Sequence, residues 1–293
     1  MIRAYPLTLA NVIFRRHDTV GIYELGDKIA YVHFAFSSVT PDDYEKDKCT
    51  PSYVLLDTFP QDFSDHKQAY LSYYRADIFS AHDAVCYWKN GRFILNTKQY
   101  AGFNTSIAKL IEMQDTKLIE IGDSPAPTEQ IYPDSKDHIF GDLVVRMISP
   151  FVMACRSRIS DQIIWKLKLT AYLYTEVEER NGILYFGTAG KGGRFYGISL
   201  ADGHILFDYN TSGTANFLWY ENTILLANRK NKPVLLDPTN GSEISHIEFV
   251  QFILTADQYM IIKGNRLYAV ASGADAMYAV CADLPQPKYA ASF

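Results

Sequence analysis

One pattern recurs in the second half of this chain and limits what the chain can fold into. Around Asn181 it reads Asn181-Gly182-Ile183-Leu184-Tyr185-Phe186-Gly187-Thr188. It continues with Phe195-Tyr196-Gly197-Ile198-Ser199-Leu200-Ala201-Asp202-Gly203 and ends on Ile205-Leu206-Phe207. About 40 residues later it returns as Glu221-Asn222-Thr223-Ile224-Leu225-Leu226-Ala227, then Val234-Leu235-Leu236-Asp237-Pro238-Thr239-Asn240-Gly241, then Glu243-Ile244. A unit of that length, built of short apolar runs and tight turns, cannot bury its apolar faces alone. Stacked copies can, and the β-propeller stacks four-stranded units at this period.

Turn chemistry sets the rhythm. Polar pairs that favour positive φ divide the apolar runs: Gly26-Asp27, His82-Asp83, Asn90-Gly91, Gly141-Asp142, Asn181-Gly182, Glu221-Asn222, Ala256-Asp257 and Gly264-Asn265. Asp142, Gly182, Asn222 and Asp257 are spaced by 40, 40 and 35 residues, whereas Asp27, Asp83 and Asp142 are 56 and 59 apart. The later units are therefore compact, and the wider early spacing predicts insertions, placed at residues 42–51, 59–66 and 123–137. Insertions of this kind fall on rim loops, where binding function gathers. Residues 64–74 are the best candidate for a helix. The fold expected is all-β: a single β-propeller domain over residues 1–293, of about six blades within a range of five to seven. It would carry loop insertions in its N-terminal half, and the N-terminal strand would pair with the last C-terminal strands.

Composition agrees. The chain has 293 residues, 48% hydrophobic and 21% charged, as expected of a globular chain, and its 14% aromatic content suits pleated, half-buried surfaces. The net charge of −5 argues against a nucleic-acid surface, which needs clustered Lys and Arg. No run reaches 18 apolar residues and the N-terminus lacks a leader pattern, so a cytoplasmic protein with no membrane partner is expected. Cys49, Cys86, Cys155 and Cys281 lie far apart and read as free thiols.

The 181–207 unit resembles the repeat of the quinoprotein-type (PQQ-like) β-propellers. In that family a strand ends in Tyr-x-Gly-Thr, a second strand leads into Asp-x-x-x-Gly, and a Trp-bearing strand closes the blade. Tyr185-Phe186-Gly187-Thr188 and Asp202-Gly203 match, with Phe207 at the Trp-like position. Asp237-Pro238-Thr239-Asn240-Gly241 matches the turn, and Trp165 sits where the preceding blade would close. The likeness covers roughly residues 140–282 and fades toward the N-terminus. It implies the fold without the cofactor. The quinone-dependent members are exported, metal-bearing and eight-bladed, and this chain has neither the length nor the leader. No cofactor and no metal are expected, and the common implication is a propeller that binds another protein.

No residue set spells out a reaction, and no catalytic residues are assigned. Ala189-Gly190-Lys191-Gly192-Gly193-Arg194 lacks the frame of a phosphate loop and reads as a hairpin turn. Arg229-Lys230-Asn231-Lys232 reads as a solvated hairpin tip, or as a contact for an acidic partner. Lys191, Arg194, Arg229, Lys230 and Lys232 would form a local basic patch if they share one rim. The seven histidines show no metal-ligand spacing. A site gathered from different blades at the axis stays open. No Gly-x-Ser-x-Gly occurs, and Asp42-Asp43 and Glu178-Glu179 read as hydrated loop acids. Phe59, Phe63, Tyr70, Tyr73 and Tyr74 form an aromatic group suited to a protein interface. Trp165, Phe217 and Trp219 read instead as packing between blades.

The leading expectation is a non-enzymatic, protein-binding propeller, one version being an immunity-type inhibitor of a toxic bacterial enzyme. The alternative is a propeller hydrolase or lyase acting on a sugar or lactone, with an axial metal or a His/carboxylate set. A structural subunit of a larger assembly is a third.

Overall fold

The computed structural model describes residues 1–9, 16–38, 50–73, 85–89, 92–97, 107–114, 117–124, 133–211, 213, 216–227, 232–248, 253–254 and 260–286. The chain forms two compact units, Met1–Glu129 with Tyr259–Ala282, and Gln130–Gln258 with Asp283–Phe293. Among the described residues the fold is all-β apart from one 3-10 turn, Pro133–Ser135. Its repeating element is the consecutive antiparallel four-stranded meander of a propeller blade.

In the first unit, β1 (Ile2–Pro6) precedes β2 (Arg16–Leu25), β3 (Lys28–Ser38), β4 (Thr50–Pro60) and β5 (Lys67–Tyr73), which pair in sequence order. A second meander follows: β6 (Val85–Lys89), β7 (Arg92–Thr97), β8 (Ile107–Gln114) and β9 (Lys117–Ser124). One parallel pair, Tyr70 with Lys117, links the two.

The second unit holds three sheets. The first is β10 (His138–Phe140), β11 (Leu143–Ser149), β12 (Val152–Ser157) and β13 (Ile163–Lys168). The next joins β14 (Tyr172–Leu173) and β15 (Glu178–Arg180) to β16 (Ile183–Ala189), β17 (Arg194–Ser199) and β18 (Ile205–Asn210). The last is β19 (Phe217–Tyr220), β20 (Thr223–Leu226), β21 (Val234–Leu236) and β22 (Glu243–His246); the short β23 (Ile253–Leu254) follows in the chain and is not part of this sheet. Back in the first unit, β24 (Ile261–Lys263), β25 (Arg266–Ser272) and β26 (Met277–Asp283) make a sheet that β1 completes, with Arg3 opposite Cys281 and Tyr5 opposite Ala279. The expected pairing of N-terminal and C-terminal strands is thus present, and it covers an edge that would otherwise be open.

The middle sheet of the second unit shows why its strands read as unbroken apolar runs. Leu184 and Phe186 face one way, into a core with Val145, Met153, Trp165 and Ile198. Tyr185 faces the other way, into a core with Phe195, Phe207, Phe217, Ile224 and Leu236. Both faces are buried, so the period-2 alternation of polar and apolar residues disappears.

The turns between third and fourth strands repeat in detail. Ser157, Ser199 and Asp237 each donate N–H five residues ahead, to the carbonyls of Gln162 (3.0 Å), His204 (2.9 Å) and Ser242 (2.9 Å). Their own carbonyls accept from Asp161, Gly203 and Gly241, whose φ values are 56°, 71° and 71°. Positive φ alone does not require glycine here, since Asp161 adopts it with a 78% exposed side chain. The glycines answer a second demand. A Cβ on Gly203 would stand 2.6 Å from the ring of Trp165, and one on Gly241 would stand 2.3 Å from Phe207. Each ring belongs to the closing strand of the preceding sheet. Phe207 also lies over Gly197 of its own sheet, where a Cβ would come within 2.3 Å. Trp165 Nε1–H donates to Leu200 O at 2.8 Å, which satisfies its one polar group. Trp165 and Phe217 are thus packing residues between sheets, as expected.

Two expectations are corrected. The expected helix at residues 64–74 is not formed over its described part, 64–73: Lys67–Tyr73 is the strand β5, with Ala69 opposite Leu56 and Leu71 opposite Val54. The sheet pairing overrides a weak local helix preference. The segment 59–66 is not an inserted loop, since Phe59 and Pro60 end β4 and a short turn leads to β5. The first meander is wide because β2, β3 and β4 run 10, 11 and 11 residues, against 4, 4 and 3 for β19, β20 and β21. Of the other two segments read as insertions, residues 42–49 and 125–132 lie outside the described residues. Thr50 and Pro51 belong to β4, and Asp123 and Ser124 to β9.

Gly203→Asn keeps a residue that tolerates positive φ but places a side chain under Trp165. It should destabilise the protein by about 1–3 kcal/mol. Asp161→Gly, at the equivalent turn position, should cost less than about 1 kcal/mol. Urea denaturation of the two variants checks the difference.

Candidate functional site

The residues expected at an interface divide between the units. In the first unit, Phe59 is fully buried in a core with Leu7, Ile29, Tyr31, Tyr268 and Cys281, so it is not a surface residue. The correction follows from its strand: Phe59 faces inward from β4, opposite Ile29. Phe63 stacks on it at 4.2 Å and 13°, from a turn position with φ of 59°. Positive φ is uncommon for an aromatic residue. The turn is held by Phe63 N–H donating to Pro60 O, and by Arg266 and Tyr268 donating to Gln61 O. Tyr70 is 49% exposed on β5. Tyr73 ends that strand, and Tyr74 lies outside the described residues.

In the second unit, Lys191 is exposed on the turn joining β16 to β17, with strands on both sides, which confirms a hairpin over a phosphate loop. Lys232 occupies the corresponding segment before β21, so the two lysines sit on equivalent second-to-third-strand connections of neighbouring sheets. Arg194 begins β17 and donates to Asp208 at 2.7 Å, while Lys232 pairs with Glu248 at 3.1 Å. Arg229 and Lys230 lie outside the described residues. Glu178 and Glu179 are not loop acids but part of β15. Glu178 accepts from Trp219 Nε1 at 2.7 Å, and Arg180 lies 3.5 Å from the centre of the same indole.

Two arrangements were missed by sequence reasoning. The first is a buried polar cluster around Asp57, which is fully buried on β4. Its Oδ2 accepts from His33 Nε2 at 2.7 Å, and its Oδ1 accepts from His66 Nε2 at 2.6 Å and Gln68 Nε2 at 2.8 Å. Gln68 also donates to Thr8 O at 2.8 Å, and the His66 ring lies 4.1 Å from that of Tyr5 on β1. Burial pushes the Asp57 pKa up, but the hydrogen bonds from His33 and His66 and their nearby charge outweigh it and hold the carboxyl below its ordinary 3.8. Chemically this is a saturated acceptor. Three donors on a sealed carboxylate leave little room for proton abstraction from a substrate. No group of three or more His, Cys, Asp or Glu that could hold a metal ion occurs among the described residues.

The second arrangement is exposed. Phe151, in the turn between β11 and β12, and Tyr172 of β14 pack their rings 4.6 Å apart while remaining 38% and 54% exposed. Ile148, one residue before the end of β11, is also exposed, at 47%. An apolar residue at a turn tip, in Ser149-Pro150-Phe151, was the signal available in the sequence. Below this patch the backbone is fixed: Leu169 N–H donates to Phe151 O at 2.8 Å, and Thr170 Oγ1 donates to Gly192 O at 2.8 Å.

No protein-family model matches the chain, and no curated protein matches it. Among solved structures it is similar to BamB from Moraxella catarrhalis, at 11% identity, 96% of this chain, 97% of that one and a TM-score of 0.44. It is also similar to the computationally designed Ika8 protein, at 8% identity, 92% and 97% coverage and a TM-score of 0.43. The designed Ika4 protein covers 55% of this chain and 96% of its own, at 12% identity and a TM-score of 0.39.

Because the folded pKa of Asp57 lies below its unfolded value, its stabilising contribution is complete above the unfolded pKa of 3.8 and is lost as pH falls through the folded one. Asp57→Asn, which sets an NH2 against N–H donors, should cost about 3 kcal/mol at neutral pH. It should also flatten the loss of stability as pH falls from about 4 through the folded pKa of Asp57. Denaturation midpoints of both proteins across that range check both effects.

Proposed function

We propose that this chain is a single, cytoplasmic β-propeller of about six blades that binds another protein and performs no chemistry of its own. The observation that carries the reading is the exposed set Ile148, Phe151 and Tyr172, held on turn ends above a packed core. Paired aromatic rings left in solvent on a rigid support are the kind of anchor that protein interfaces bury, because they offer large area with little conformational freedom to lose. The PQQ-like turn pattern at Asp202-Gly203 and Asp237–Gly241 supports the propeller part of the proposal. A narrower version is an immunity-type protein that covers a toxic bacterial enzyme, for which the net charge of −5 suits a basic target.

The hydrolase or lyase reading ranks second because the Asp57 cluster is a His/carboxylate set of the kind it asks for. Burial of Asp57 and its three donors favour a structural role.

Affinity purification of the tagged full chain at physiological salt should recover one protein in stoichiometric amount, co-eluting on gel filtration. A partner-free protein carrying a stoichiometric metal by elemental analysis would favour the enzyme instead.

A further inference from the structure

We infer that the exposed aromatic pair and the lysines beside it form a docking surface for an acidic polypeptide segment, one that carries carboxylates next to an apolar side chain. The inference rests on the general protein-binding reading, not on its immunity-type version with a basic target, and names the chemistry of the partner. Phe151 and Tyr172 supply the apolar centre. Lys168 ends β13 beside Val152, the residue after Phe151, and its side chain is exposed. Lys191 follows Gly190, whose Cα faces Tyr172 closely enough that a Cβ there would stand 4.0 Å from the ring. Among the described residues neither lysine has a carboxylate partner, whereas Arg146, Arg156, Arg194 and Lys232 of the same unit are all paired. Two unneutralised ammonium groups bordering two exposed rings attract a carboxylate and an apolar side chain together. A long polyanion fits less well, because the chain is net acidic at −5.

The test uses the full-length protein and a fluorescein-labelled Glu-rich peptide containing Leu and Phe, read by fluorescence anisotropy. A Lys-rich peptide and a single-stranded oligo-dT serve as the competing probes. The acidic peptide should bind, and binding should weaken with salt. Lys168→Glu with Lys191→Glu, and separately Phe151→Ser with Tyr172→Ser, should each weaken it about tenfold. Lys168→Gln with Lys191→Gln is the milder variant, and thermal melts confirm that all are folded. Absence of binding, equal binding by the variants, or tighter binding of oligo-dT would overturn the inference, the last in favour of a nucleic-acid surface. A captured partner retained equally by the charge-reversed variant would also overturn it while leaving the protein-binding reading intact. Failure of the wild type to capture any partner counts against that reading itself.

Discussion

One aromatic ring seated on one glycine joins each sheet of the second unit to the next. Trp165 on Gly203 and Phe207 on Gly241 place the closing strand of one meander against the third-to-fourth-strand turn of its neighbour. Interiors are packed to crystal-like density, so a ring that must lie flat on a turn fixes how far apart two sheets stand. The turn would keep its hydrogen bonds with another residue, as Asp161 shows. The glycine answers to the partner sheet more than to its own backbone.

The first unit meets the same demand differently. There the closing strand of the last sheet is β1, and Tyr5 meets the β4–β5 turn through His66 and Phe59, with ring centres 4.1 and 5.5 Å apart. Among the described residues no glycine receives it. Behind that contact, Asp57 gathers His33, His66 and Gln68, and Gln68 reaches back to Thr8. A buried hydrogen-bonded network is directional where an apolar seat is not, and it specifies one arrangement of the strands that share it. The strand that completes the sheet from the far end of the chain is thus held by hydrogen bonds as well as by packing.

The turns were the most legible part of the sequence. Asn181 and Gly182 adopt φ of 54° and 77°, as their pairing demanded, because turn chemistry is encoded locally. The Asp-to-Gly turns and the role of Trp165 were visible for the same reason. The strand β5 was not, since only Ala69 and Leu71 mark its inner face, and its pairing with β4 is a tertiary effect. The Asp57 cluster was least legible. His33, Asp57 and His66 stand 24 and 9 residues apart, and only cross-strand register brings them together. The exposed pair Phe151 and Tyr172 was hidden similarly, its rings coming from different sheets. The aromatic group at 59–74 showed the reverse error: density of aromatic residues signalled an interface, but the inward face of β4 puts Phe59 in the core.

The function proposed depends on this rigidity, because side chains held on fixed turns can be left exposed without collapsing onto one another. The direct test of the account is a double-mutant cycle between Trp165→Leu and Gly203→Asn, measured by chemical denaturation. If the ring seat joins the sheets, Gly203→Asn loses most of its effect once Trp165 is gone, with a coupling of about 1 kcal/mol or more. Additive effects of the two substitutions would contradict it.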